Sequence, residues 1–400
     1  MSAPADALAL FGARFQRDPA GVYRELRERH GPVAPVRLEG GVPAWCALGY
    51  REVHQVTGDP ELFSRDPRWW NRWHQVPENW SLRPFVEPRP STLLVEAAGH
   101  RTRGHAVHEA LAGVDAVWLT AQLQDCCDVL VDRFAGRGYA DLVVEYTHRI
   151  PLWAVVRVCG LPEGEVPMLT HDVALSGQEG EEAVRAYERT MARMRWLVAE
   201  RRTEPVDDLP SRLVAHPAAL SDAEIAADLF LVLAVAHLTT SDWMANALRL
   251  MLTDPHFAVG LAGGRHDVGH VLDEVLWIDP PVQNFAGRWA TRDTELGGKA
   301  VRAGDLVVLG LAAANSDPAV RPRGCPQASG NRAHLAFSHG EHGCPDPARE
   351  LARAIARTGV EILLDHLPDL ALAVPEPDLT WRPSLWLRGL TSLPVTFTPH

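Results

Sequence analysis

The stretch Phe337-Ser338-His339-Gly340-Glu341-His342-Gly343-Cys344-Pro345 carries the most concentrated chemistry in the chain. A glycine stands four residues before the cysteine and a histidine two before it, and a helix-like run follows from about Ala348 to Leu367. A thiolate in a tight loop just ahead of a helix gains from the positive end of the helix dipole and from nearby backbone N–H groups. That setting suits a cysteine that stays ionised as an axial metal ligand, and Cys344 is read as the ligand of a haem iron. The rival is a non-haem metal site made of His339, Glu341, His342 and Cys344, whose spacing follows no recognised zinc pattern.

A second polar group stands in an apolar setting. Ser221-Asp222-Ala223-Glu224 is a Ser-x-x-Glu capping box, and neither glycine nor proline interrupts the chain from there to Asp254. That permits a helix of about 30 residues, roughly 45 Å long. Its centre, Leu229–Ala236, is apolar all round and reads as buried. It continues as His237-Leu238-Thr239-Thr240-Ser241-Asp242. The threonines either back-bond to carbonyls one turn earlier or have chemical work to do. From Phe63 to Thr92 the chain is rich in proline, arginine and tryptophan, including Trp69, Trp70, Trp73 and Trp80. Those tryptophans either anchor a long loop to the body or form a lid over a ligand pocket.

The elements that must position these groups are mostly helical. Amphipathic or apolar periodicity predicts helices over Asp18–His30, Arg51–Thr57, Gly99–Phe134, Ala140–Val158, Glu181–Arg202 and Val268–Ile278. A hairpin is expected over Pro35–Leu48 with Gly40-Gly41 as its turn, and Pro205–Pro210 reads as a turn. Short strands are expected at Thr294–Gly297, Val301–Arg302, Leu306–Gly310, Ala371–Val374 and Leu393–Phe397. Asp317–Asn331 reads as irregular. With no internal repeat and no flexible linker, the expectation is one mainly α domain over residues 1–400 with a minor β portion.

Composition narrows the class. The 400 residues are 46% hydrophobic and 22% charged, as in a soluble globular protein. A net charge of −12 argues against nucleic acid or an anionic membrane as partner. No run of 18 wholly apolar residues occurs, so no membrane span is expected. Residues 1–16 lack a basic segment followed by an apolar one, so no signal peptide is expected. The six cysteines have neither paired CxxC spacing nor disulfide-scaffold density, which fits a reducing cytoplasm. All but Cys344 are read as small buried hydrophobes.

Taken together, these segments resemble the cytochrome P450 family of the soluble bacterial type. Phe337…Gly340-x-His342-x-Cys344 is similar to its cysteine loop. Glu274-Val275-Leu276-Trp277, followed by Pro280-Pro281, occupies the place of its Glu-x-x-Arg helix. Ala236–Thr240 sits where the long helix carries its acid–threonine pair, and Leu311–Pro318 and Trp381–Leu385 are also similar. The resemblance implies an α-rich triangular prism, with haem b between the long helix and the Cys344 loop. It also implies electrons from a ferredoxin-type donor and oxygen insertion into a small organic substrate, possibly a natural product of secondary metabolism. By position, Cys344 is the iron ligand and Phe337 and Gly340 shape its loop. His100, Arg288 and His342 serve the haem propionates, and Thr239 and Thr240 serve proton delivery. Val235, Leu238, Phe285 and Trp80 line the substrate pocket. Gly104 stands where the family usually has an arginine, with Arg101 and Arg103 nearby.

Three departures qualify that picture. Trp277 replaces the arginine that pairs with Glu274; its indole N–H is read as replacing one guanidinium donor, with Arg321 and Arg323 as candidate third partners. Leu238 replaces the acid before the threonine, and His237 and Asp242 are read as facing away from it. Asp346 and Ser338 replace glycines of the loop, where Asp346 would take a left-handed conformation or bring negative charge to the thiolate. The departures also fit a haem-thiolate protein working without ordinary O2 activation, as a peroxygenase, an isomerase or cyclase, or a catalytically silent partner.

Overall fold

Alternating small and β-branched side chains pair the strands Val33–Arg37 (β2) and Pro43–Ala47 (β3) antiparallel, with Gly40 and Gly41 at positive φ between them. The computed structural model describes residues 7–76, 80, 86, 97–176, 181–255, 257, 268–321 and 330–400. The chain resolves into two compact units, one of residues 1–101, 276–344 and 381–388, the other of residues 102–275, 345–380 and 389–400.

The first unit is built on a sheet. Leu8–Ala9 (β1), Phe63–Ser64 (β4), Phe285–Ala290 (β6) and Leu306–Leu309 (β9) join β2 and β3 in the order β1-β2-β3-β9-β6-β4. Thr294–Leu296 (β7) and Lys299–Val301 (β8) form a separate two-stranded ribbon. One apolar cluster packs Leu10, Leu26, Val36, Trp70 and Trp80 with Trp289 and Leu385. A second packs Val33, Val53, Phe63, Leu296 and Leu335. Arg27 caps two loose carbonyls there, donating to Leu48 at 3.1 Å and Ala313 at 2.6 Å.

The second unit is helical. Its longest helix, Asp222–Thr253, opens with both reciprocal hydrogen bonds of the Ser221–Glu224 capping box. Helices Arg149–Val158, Glu181–Thr203 and Asp346–His366 pack on it. Three short strands, Tyr139–Asp141 (β5), Ala371–Leu372 (β10) and Pro394–Thr396 (β11), join in the order β10-β11-β5. By length and composition alone the long helix is apolar enough to cross a membrane, a test that the core helix of a soluble protein also passes. Against a lipid setting, its buried Asp228 takes a two-pronged bond from Arg103 at 2.7 and 3.0 Å. Both side chains are at most 4% exposed.

Several element boundaries differ from the sequence reading. The periodic run from Ala140 opens as strand β5 and a π-helical turn, Val143–Thr147, before the helix starts at Arg149. Residues 205–208 lie between helices where a turn was expected, and the last two residues of that stretch begin the helix Leu209–Ala215, with Pro210 in its first turn and Asp208 as its cap. Helix Val166–Ser176 and strand β6 were not foreseen. Cys46, Cys127 and Cys159 are buried as expected, and burial pushes their thiols up to about 12; half-buried Cys126 is pushed equally high. Cys325 lies outside the described residues.

Removing one member of a buried ion pair leaves an uncompensated charge, a loss of about 3–5 kcal/mol. Arg103→Met or Asp228→Asn is therefore expected to lower stability by that order in chemical denaturation, while Arg103→Met/Asp228→Leu recovers most of it. Single variants within about 1 kcal/mol of the parent would contradict this role.

Candidate functional site

Two backbone reversals shape the cysteine loop. The Ser338 N–H donates to Leu335 O at 2.8 Å, and the Gly343 N–H donates to Gly340 O at 2.9 Å. The Cys344 N–H then returns to Phe337 O at 3.0 Å. Gly340 has φ +75°, and a Cβ there would collide with the carbonyl oxygen of Thr57, so the end of helix Tyr50–Gly58 admits only glycine. The same helix braces the loop by stacking His54 on His339 at 3.8 Å. Cys344 is half-buried, and Pro345 after it is the N-cap of helix Asp346–His366.

Beside the loop, four nitrogen-bearing side chains gather in the first unit. Antiparallel pairing of Ser64 with Trp289 carries Arg65, the next residue, alongside Arg288 on β6. The two guanidiniums are at most 2% exposed and converge on one acceptor, the Gly287 carbonyl, at 3.2 Å from Arg65 and 3.4 Å from Arg288. The Arg288 Nη2 is buried with no hydrogen-bond partner. Arg65 lies over the Phe285 ring at 4.8 Å. His100 and His342 stand ring to ring at 3.9 Å, and His100 Nε2 donates to Glu341 O at 2.9 Å. His342 Nδ1 is buried without a partner. Burial, with Arg288, His100 and Arg65 nearby, holds the His342 imidazole far below its usual pKa and therefore neutral.

Burial pushes the Arg65 guanidinium down to about 9, and burial with Arg65 beside it pulls Arg288 well below the usual range. Arg65 still carries its charge at neutral pH. The unpartnered Arg288 N–H and His342 imidazole nitrogen, beside two buried guanidiniums, are a fitting receptor for carboxylates. With a cysteine in the adjoining loop, the donor set fits haem, which brings two carboxylates and an iron that takes a thiolate. It does not fit zinc: among the described residues no three His, Cys, Asp or Glu side chains are placed to hold a metal ion. Arg65 escaped the sequence reading because strand β6, whose pairing brings it to Arg288, was not recognised.

On the long helix, the Thr239 hydroxyl donates to Val235 O at 2.8 Å, the back-bond weighed from sequence. Val235 is 45% exposed, and Leu238 and Thr239 are half-buried. Thr240 is 1% exposed and its hydroxyl has no partner. His237 is buried and donates from Nε2 to the His148 carbonyl at 2.9 Å. Asp242, also buried, stands four residues from Leu238 and so one turn along the same helix face; the reading that it faces away is corrected.

The Glu-x-x-Trp position is also corrected. The Trp277 indole N–H donates to Asn331 O at 2.8 Å, so it acts as a brace for the segment before the cysteine loop, not as a donor to Glu274. Trp277 meets His334 edge-on at 5.9 Å and carries the Arg321 guanidinium 5.9 Å over its ring. Arg323 lies outside the described residues. Asn315 reinforces the brace by donating to Leu276 O at 2.8 Å and accepting from the Leu335 N–H at 2.7 Å. Glu274 is half-buried. Its neighbour Asp273 pairs with Arg353, which lies 5.5 Å over the Trp243 ring.

Two further expectations change. Trp80 is 4% exposed, packs 5.9 Å from Trp70 and donates to Glu39 O at 2.8 Å, so it is a core anchor and not a pocket residue. Of the stretch considered as a lid, residues 77–79, 81–85 and 87–92 lie outside the described residues. Asp346 begins a helix in ordinary geometry, and its 82% exposed carboxylate faces Arg349 at 3.4 Å. Its charge is thus partly neutralised and open to solvent. The non-glycine residue of the loop in the left-handed region is Ser338, at φ +60°.

No family model matches the chain. It is 31% identical to the mycinamicin IV hydroxylase/epoxidase of Micromonospora griseorubida, covering 94% of this chain and 95% of that protein. It is 29% identical to cytochrome P450 107B1 of Saccharopolyspora erythraea, covering 97% of each. Among solved structures, CYP154C4 from a Streptomyces species superposes at TM-score 0.89 with 26% identity, covering 98% of this chain and 99% of that one.

The loop geometry sets an asymmetric mutational response. Gly340→Ala meets both a left-handed backbone and the Thr57 carbonyl, an expected loss of about 2 kcal/mol or more. Ser338→Gly relieves left-handed strain and removes a buried unpartnered hydroxyl, so it should be neutral or gain up to about 1 kcal/mol. Denaturant melts of both variants check this; equal effects would contradict it.

Proposed function

The chain belongs to the cytochrome P450 family and is a haem monooxygenase of that kind, and on that premise we propose the following reaction and residue roles. The protein transfers one oxygen atom from O2 into a C–H bond or alkene of a small natural product, taking electrons from a ferredoxin-type donor in the cytoplasm. The observation that carries this reading is the buried carboxylate receptor of Arg288, His100 and His342 beside the Cys344 loop. Hydroxylation and epoxidation, the reactions named for the Micromonospora relative, support the reaction class.

Haem held by a cysteine thiolate supplies O2 activation and oxygen transfer. In the proposed assignment the Cys344 sulfur holds the iron, and Phe337 and Gly340 fix the loop that presents it. Arg288, His100 and His342 hold the two carboxylates. Glu274 and Trp277 keep the supporting frame, with Trp277 working through Asn331. Val235, Leu238 and Phe285 line the substrate side.

Thr239 is the proposed proton-delivery residue, with Thr240 as the second hydroxyl. The Thr239 hydrogen is engaged with Val235 O, so delivery requires the hydroxyl to turn out of that bond. Leu238 has no proton to give or orient. That deficit favours a second reading, in which the protein uses peroxide or catalyses a rearrangement in place of O2-dependent oxygenation.

The reduced protein under carbon monoxide is expected to show the red-shifted Soret band of thiolate ligation, and Cys344→Ser is expected to lose it. An unshifted band in the parent protein would overturn the assignment of Cys344. With a ferredoxin system and substrate, electrons should be lost to peroxide severalfold in excess of product, with Thr239→Ala worsening the ratio. Tight coupling that Thr239→Ala leaves unaltered would remove Thr239 from proton delivery.

A further inference from the structure

We propose that Trp289, Trp70 and Trp73 carry oxidising equivalents from the haem site to the surface, where Trp73 oxidises electron-rich aromatic donors such as phenols one electron at a time. The inference rests on the haem reading above and adds an activity that needs neither the substrate pocket nor Thr239.

The three indoles form a graded series within the first unit. Trp289 is fully buried and follows Arg288 on β6. Its ring borders the carboxylate receptor: the place a Cβ would take on Gly287 lies 3.1 Å from Trp289 Cη2 and 3.3 Å from Arg65 Nη1. Trp70, also buried, stands 5.9 Å from Trp289 between ring centroids. Trp73 stands 5.7 Å beyond Trp70 and is half-buried. Both separations are those of interacting aromatic pairs, so each step joins neighbouring π-systems.

Packing alone does not account for two of these indoles. Among the described residues nothing accepts from the Trp70 or Trp289 N–H, although both are buried. An unmade hydrogen bond of that kind costs about 1–3 kcal/mol, which a phenylalanine in the same core would avoid. The same feature suits charge transfer. An oxidised indole is a far stronger N–H acid, and losing that proton traps the charge where it is. With no acceptor in the surrounding protein, Trp289 and Trp70 keep the proton and only the electron moves. A buried positive charge is costly, so it is drawn outward to half-exposed Trp73. Trp80, 5.9 Å from Trp70, is a side branch that is itself buried, with its N–H bound to Glu39 O.

Hydrogen peroxide, the by-product expected from the Leu238 deficit, is the oxidant. Reacting at the haem, it is reduced to two waters by two electrons and two protons. Each electron leaves Trp289, is replaced from Trp70 and then from Trp73, and is finally supplied by a phenolic O–H outside, which also gives up its proton. One peroxide and two phenols therefore give two waters and two phenoxyl radicals.

The test uses holoenzyme of the parent, Trp70→Phe, Trp73→Phe and the exposed control Trp196→Phe, once the carbon monoxide spectrum has shown thiolate-ligated haem. Each is treated with hydrogen peroxide alone, and its oxidised tryptophans are located by peptide mass spectrometry. Exposure alone would favour Trp69 and Trp196, which are 46% and 54% exposed. The expected result is oxidation concentrated at Trp73 in the parent and lost from it in Trp70→Phe. With the aromatic dye ABTS as one-electron donor, peroxide-driven dye oxidation should fall at least about fivefold in Trp70→Phe and Trp73→Phe and hold in Trp196→Phe. Oxidation that follows exposure, or that stays at Trp73 in Trp70→Phe, overturns the proposal, as does dye oxidation that either path variant leaves unaltered. Should Trp70→Phe fail to fold, the parent map and the dye rate of Trp73→Phe decide alone. A parent lacking thiolate-ligated haem overturns the haem reading and this proposal with it, whereas every outcome above leaves the haem reading standing.

Discussion

Two guanidinium groups side by side out of water are costly unless anionic groups compensate them. Arg65 and Arg288 are held that way by strand pairing, by a glycine with no side chain to separate them, and by the ring of Phe285. The surrounding features follow from the same requirement. His342 is kept neutral, which spares the cluster a third positive charge, and its ring rests on His100. The loop carrying His342 and Cys344 is pinned at Gly340 against Thr57, so the histidine and the thiol are delivered together.

The departures from the usual P450 pattern change how the frame is held more than what it holds. A guanidinium in the Glu-x-x-Arg position would give charge-assisted bonds; Trp277 offers one N–H and a large apolar surface. The N–H goes to the Asn331 carbonyl, and Asn315 adds two bonds between Leu276 and Leu335. The Asp273–Arg353 pair is a separate charged tie one residue before Glu274. Leu238 is different in kind, because an apolar side chain cannot organise water. The buried polar residues His237, Ser241, Asp242 and Asn246 lie close by in sequence, yet Ser241 is already committed to the His237 carbonyl and His237 to that of His148.

Much of this was legible in the sequence, and the failures have physical causes. The long helix was readable because a capping box and an unbroken apolar run are local signals, and both reciprocal cap bonds are present. The Cys344 loop was readable because its glycine spacing reflects a backbone conformation. Arg65 was not, since its proximity to Arg288 depends on a pairing 225 residues apart in sequence. Trp80 was misassigned because a tryptophan in a proline-rich stretch looks the same whether it faces a core or a pocket. Trp277 kept its helix face but not its expected partner, because the acceptor, Asn331, lies in a segment with no periodicity to read. Asp346 was mistaken for a strained residue because the helix starts two residues earlier than its periodic pattern shows.

Iron K-edge X-ray absorption on the purified ferric holoenzyme and on Cys344→Ala tests the assignment of Cys344 most directly. One sulfur scatterer in the first shell of the parent, absent from Cys344→Ala, is the result expected. A first shell of nitrogen and oxygen alone in the parent, or a sulfur that persists in Cys344→Ala, would contradict it.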